Sequence, residues 1–225
     1  MKKIRVVILS IIAIVLYHSY AFSWNDGKTH KDISRYAAEK SILGPCTIGG
    51  NLQCDYLKTL GFSQGLTEKL EWNNTRVSVS EWLATGGELE DYATRWRNHF
   101  HNPLQPWLTA GLSDLWSGQS ALLWAQSHNE SQQPMADDWS WQRTRKLYHL
   151  ALTSWDPDVR SMFFAETFRG LGQQMHLLQD MAVPAHVRND AHPLDAIVGT
   201  SWGRCVPSVF CFYIRERLLG SLLDA

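Results

Sequence analysis

The feature that most constrains this chain is residues 156–186. Asp156-Pro157 reads as a helix N-cap followed by proline at the first helical position. Met162, Phe163, Phe164, Phe168, Leu171 and Met175 then recur at the spacing of three and four that marks one helix face. Pro184 cannot continue a helix and biases Val183 away from helical geometry, so the chain turns there. His176 and Asp180 are four apart and project from the same side of the helix. The turn can bring His186 back toward both. Two imidazoles and a carboxylate converging at a helix end form a plausible zinc site; the plain alternative is a polar helix end with two solvated histidines.

The rest of the chain reads as helices joined by loops. His30, Ile33, Tyr36 and Ala37 predict a helix over 29–43 with Thr29 as its cap, and Gly44-Pro45 ends it. A loop over 46–55 leads to a short helix near 55–60 and another short segment over 67–73. Ser78-Val-Ser-Glu81 fits a capping box, opening a helix that Gly86-Gly87 cuts short. Residues 98–107, with Pro103 and Pro106, read as loop, and 108–127 as a helix carrying Leu112, Leu115, Trp116, Leu122 and Leu123. A polar linker (127–137) precedes a helix over 139–154 with a Trp141, Tyr148, Leu152 face. No run of alternating strands and no internal repeat is evident. The expected fold class is all-α, a single multi-helix bundle. Beyond His192 the pattern degrades: 197–212 has no clear period, and 213–223 looks helical again.

With 225 residues, 44% hydrophobic and 19% charged, the composition is that of an ordinary globular domain. Most of the eleven tryptophans are expected to pack in the core or between helices. Residues 1–23 read as a signal peptide: Lys2, Lys3 and Arg5 precede an apolar run over 6–17, and Ala21-Phe22-Ser23 is a small-x-small cleavage site. The run is shorter than the ~20 residues of a spanning helix, although an uncleaved anchor is the alternative. Cleavage makes Trp24 the first residue of a secreted or periplasmic protein. It leaves 18 basic residues against 22 acidic, near −4, which gives no basic nucleic-acid footprint. Four cysteines in an exported chain suggest disulfides; Cys46–Cys54 with Cys205–Cys211 is the local pairing among three connectivities. Neither pair has the CxxC spacing of a four-cysteine zinc site.

Three further places offer ligands: Trp24 through His30; Glu88, Glu90 and Asp91 followed by His99 and His101; and His192. Ligands from helices far apart in sequence are how bundle-core metal sites are assembled. With these residues the chain, from Trp24 to about His192, resembles the zinc-dependent phospholipase C / S1-P1 nuclease superfamily. The resemblance rests on His-x-x-x-Asp-x-x-x-Pro-x-His (His176, Asp180, Pro184, His186), on the His99-Phe100-His101-Asn102-Pro103 turn with an acidic residue upstream, and on a mature N-terminal Trp24 followed by His30 in a Thr-His-x-x-Ile setting.

The resemblance implies an all-helical domain (24–196) holding up to three zinc ions. Trp24, through its free amine and carbonyl, would bind one zinc with His30 and Asp180. Asp91, His99 and His176 would hold a second, with Asp180 bridging. His186 and His192 would hold the third with a later carboxylate. Glu90 stands as an alternative to Asp91, and His101 to His99. The paired zincs would lower the pKa of a bridging water, giving a hydroxide that attacks phosphorus, with Asp91 as the catalytic residue that orients or deprotonates it. His128, in the polar linker, and His149, with no acidic partner in register, are left out of the site. One departure stands out. The family follows its last histidine with Glu about one turn later, whereas Ala196 lies four residues after His192, with Asp195 three after and Glu216 far off. Together with the unpatterned 197–212, this suggests an atypical, truncated C-terminal segment over 197–225.

The expected function is that of an exported zinc-dependent phosphodiester hydrolase, phospholipase C-like, acting on phospholipid headgroups with peripheral membrane contact. The Thr-His-x-x-Ile setting and the turn after Asn98 favour it. The six-residue step from Trp24 to His30 leans toward the alternative, an S1-P1-type nuclease acting on nucleic-acid phosphodiesters. The third reading is a degenerate member that binds zinc without catalysis. No protein partner is inferable.

Overall fold

The computed structural model describes residues 26–45, 55–92, 94–113, 117–126 and 138–189, all of which fall within one compact unit, Asp26–Ala191. Its described elements are seven helices and one small hairpin, a mostly helical fold compatible with the all-α expectation. The predicted signal peptide, all four cysteines, Trp24, His128, His192, Asp195 and Glu216 lie outside the described residues. Among those described, no helix is long and apolar enough to cross a membrane.

Helix α1 (Asp26–Lys40) starts before Thr29, which therefore sits inside its first turns rather than capping it. His30, Ser34 and Ala38, spaced by four, are buried as one stripe. The short α2 (Tyr56–Thr59) contributes Leu57, which is fully buried.

The segment over 67–73 is part of an antiparallel hairpin, β1 (Lys69–Trp72) paired with β2 (Thr75–Ser78), with Leu70 opposite Val77. This corrects the expectation of no strands. The signal was Asn73-Asn74: both have positive φ (51° and 60°), as a two-residue turn between twisted strands requires, and asparagine tolerates that region. Four-residue strands are too short for alternation to announce them.

Ser78 ends β2 and caps the next helix, α3 (Val79–Leu89), its Oγ accepting from the Glu81 amide at 3.1 Å. The Glu81 carboxylate instead reaches α1, taking Arg35 at 2.7 Å. Gly86-Gly87 does not cut α3 short, because both glycines are packing positions. Intrinsic glycine cost, about 1 kcal/mol, is outweighed where two helices touch through backbone. A Cβ on Gly86 would overlap the Arg169 carbonyl, and one on Gly172 would overlap the Leu83 carbonyl. Gly86→Ala should therefore destabilise: the propensity gain of about 1 kcal/mol is smaller than the ~3 kcal/mol or more of backbone overpacking. A fall in Tm of about 4–8 °C is expected; an unchanged Tm would mean that the helices are not in this contact.

The predicted helix over 108–127 is largely absent. Residues 102–113 and 117–120 are irregular, and only α4 (Ala121–Gln126) is helical. The apolar spacing there serves individual anchors: Ala110 and Leu112 are buried, while Leu108 is exposed. Helix α5 (Trp141–Thr153) matches expectation, capped by Ser140 Oγ on the Arg143 amide. So does α6 (Pro157–Asp180), where Asp156 Oδ1 accepts from the amides of Asp158 and Val159 at 2.9 and 3.1 Å. α6 packs on α3 and α5, and its Phe164 and Phe168 meet Phe62, Leu70, Trp82 and Leu83 in the core. The chain then turns through Met181–Val183 into the single-turn α7 (Pro184–Val187).

Candidate metal centre

The end of α6 meets the end of α3 and the start of α1, and the polar residues of the fold collect there. Asp180 is the hub. Its Oδ2 lies 2.8 Å from His99 Nδ1, 3.1 Å from His176 Nε2 and 3.3 Å from His186 Nδ1, and its Oδ1 lies 3.5 Å from His30 Nε2. Four imidazoles from four separate segments thus surround one buried carboxylate. Asp91, in the turn after α3, places Oδ1 at 3.4 Å from His176 Nε2 and 3.5 Å from His99 Nδ1. One donor atom from each of Asp91, His99, His176 and Asp180 lies within 4.8 Å of the others, a group that could hold a metal ion. Asp91 is a third exposed, while His99, His176 and Asp180 are buried, so the cluster opens to solvent on the Asp91 side.

Two of the rings, His176 and His30, are held by the far nitrogen, which fixes the tautomer and aims the near one. His176 Nδ1 donates to the Gly87 carbonyl at 2.6 Å. That oxygen is available because Gly87 is among the last four residues of α3, whose carbonyls have no partner within the helix. The glycine also lets α1 pass closely: a Cβ there would sit 2.9 Å from Ser34 Oγ. Gln179 Nε2 donates to Ser34 Oγ at 3.0 Å, which leaves its Oε1 to accept from His30 Nδ1 at 2.8 Å. His176 Nε2 is therefore presented toward His99, 3.2 Å away.

The electrostatics suit a cation-binding site. Burial opposes charge on Asp180, yet His176, His186 and His99 hold its carboxyl well below the usual range. Burial likewise opposes charge on Asp91, and His176 and His99 outweigh it. Burial lowers the two deeper imidazoles, but their carboxylate neighbours win. Asp91 and Asp180 raise His176 well above its ordinary value, and Asp180 with Glu90 pushes His99 up to about 9. His30, stacked on His176 at 3.8 Å between ring centroids, is lowered by burial and by that neighbour. Buried Asp180 and partly exposed Asp91 are thus balanced by imidazoles among the described residues of the cluster. Nitrogen and oxygen donors aimed at a shared point, with no lysine or arginine among them, suit a divalent cation.

The structure separates the alternatives left open by the sequence. His101, not His99, turns away from the cluster: its Nδ1 meets Ser120 Oγ at 2.8 Å. Glu90, next to Asp91, is fully buried and engages Arg95 Nη2 at 2.6 Å and Trp124 Nε1 at 2.7 Å. Arg95 also donates to Gln173 Oε1 at 3.1 Å. Glu90 Oε1 is 3.8 Å from His99 Nε2, so this network backs His99 from behind. Burial opposes the charge of Glu90, and His99 and the Arg95 guanidinium hold its carboxyl below the ordinary value. His149 is exposed on α5, away from the cluster. Sequence reasoning did not reach Gly87, Gln179, Ser34 or the Arg95 network. Only Gln179, on the helix that carries His176, had a spacing signal. The chain matches no protein-family model, no curated protein and no solved structure.

Proposed function

We propose that the chain is an exported, metal-dependent phosphodiester hydrolase of the zinc-dependent phospholipase C / S1-P1 nuclease type, with phospholipid headgroups as its substrate class. The observation that carries this reading is the convergence on Asp180 of His30, His99, His176 and His186, with Asp91 alongside. These are six of the eight residues that the resemblance assigns to zinc, brought together from segments up to 156 positions apart; Trp24 and His192 lie outside the described residues.

Zinc held there supplies a Lewis acid for phosphoryl oxygens and makes water a nucleophile near neutral pH. The chain's own residues do the rest. His99 Nδ1, His176 Nε2 and His30 Nε2 would hold the metal, with the His176 and His30 rings oriented by Gly87 and Gln179. Asp180 lies between these donors and would share the metal with them. Asp91, the carboxylate reachable from solvent, orients the attacking water and accepts its proton. His186 Nδ1, 3.3 Å from Asp180 Oδ2, stands beside the same donors.

The test is hydrolysis of phosphatidylcholine and of single-stranded DNA, side by side, on the secreted protein before and after chelation. Release of the phosphorylated headgroup is expected, lost on chelation and restored by zinc. Cleavage of DNA instead would move the chain to the nuclease branch. Inactivity on both with metal bound would contradict the hydrolase reading.

A further inference from the structure

The turn that carries His99 and His101 continues into an exposed loop over residues 102–110. The loop is closed at its neck, where the Asn102 amide donates to the Ala110 carbonyl at 2.8 Å. The neck is also tied to α7, the His101 amide donating to the His186 carbonyl at 3.1 Å. At the tip, Leu104 is 88% exposed, Leu108 87% and Trp107 52%. No Asp, Glu, Lys or Arg occurs over residues 102–112. Singly exposed apolar residues are ordinary, but three large ones on one closed, uncharged loop are not.

We propose, resting on the phospholipid reading above, that the Leu104-Trp107-Leu108 tip enters a lipid surface and holds the metal centre against it. Three observations favour lipid over a protein partner. The tip offers roughly a few hundred Å², well under the ~800 Å² per partner of a stable protein interface. A tryptophan between leucines suits the headgroup boundary, where the ring is amphipathic and no shape match is needed. The backbone is also partly prepared for leaving water, where an unsatisfied amide in hydrocarbon costs several kcal/mol, although the Trp107 and Leu108 amides have no acceptor within the loop. Of the nine residues in 102–110, Pro103 and Pro106 have no N–H, and the amides of Asn102, Leu104, Gln105 and Thr109 are already bonded within the loop. Leu104 is five residues from His99, so its Cα lies within about 18 Å of that ligand's.

The experiment is flotation of the full secreted chain with phosphatidylcholine vesicles, comparing wild type with Leu104→Ser/Trp107→Ser/Leu108→Ser. Melting temperature and metal content check that the variant is folded. Wild type should float with the vesicles. The variant should partition about 100-fold less or weaker still, while hydrolysis of a water-soluble phosphodiester stays at the wild-type level. Equal partitioning of the two chains, or no flotation of wild type, overturns the proposal. So does self-association of wild type that the variant loses without any vesicle binding, which would make the tip a protein contact. Flotation that depends on the tip, with no hydrolysis, supports the loop assignment and sinks the phospholipase reading instead.

Discussion

Asp180→Asn is expected to abolish zinc uptake and to lower hydrolysis by about 10³-fold or more, the scale of losing a principal electrostatic element of a site. The amide keeps the shape but removes the charge around which His30, His99, His176 and His186 are arranged. Stability should change less than function. Imidazoles deprived of their carboxylate can shed protons near neutral pH rather than remain as buried charges, so a loss of about 1–3 kcal/mol is expected. Metal analysis with far-UV circular dichroism on the purified variant separates the two effects. Wild-type zinc content and activity in a folded variant would sink the bridging role of Asp180.

Arg95→Met should produce the largest loss of stability among single changes near the site. Glu90 is fully buried, and Arg95 contacts its Oε2 through both Nε (3.0 Å) and Nη2 (2.6 Å). Methionine fills similar space but takes away the guanidinium, leaving only Trp124 Nε1 and the more distant His99 to support the buried carboxylate, at a cost of about 3–5 kcal/mol. That corresponds to a Tm lower by about 10 °C or more. Adding Glu90→Gln to Arg95→Met should recover part of the loss, because the stranded charge is gone. A single variant melting within about 2 °C of wild type would show that the pair does not support this corner of the fold.

The legible parts of the sequence were those where one local rule acted alone. Asp156-Pro157 and the Phe164/Phe168 face specified α6 to its observed start, and the turn at Pro184 placed His186 back on Asp180. Where two demands met on the same residues, reading failed. Gly86-Gly87 looked like a breaker because glycine disfavours helix, yet the absence of side chains is what lets α3 touch α1 and α6. Residues 108–113 and 117–120 had apolar content without helix, their buried side chains anchoring irregular chain. The resemblance put His99 before His101 and Asp91 before Glu90, and His99 and Asp91 are the members that stand in the cluster; spacing alone does not choose between them. Each pair straddles a turn, and only the turn's geometry decides which member faces Asp180. The backing groups of the cluster are carbonyls and amides of distant segments, and composition carries no trace of them.

The most direct test of the account is the metal content per chain of the secreted protein after exhaustive dialysis. Two or more zinc ions per chain, lost together in Asp180→Asn, is the predicted result, since paired cations are what the phosphodiesterase reading requires. A folded wild-type chain that retains no divalent metal would contradict it, leaving the four histidines around Asp180 as a buried ion-pair cluster and nothing more.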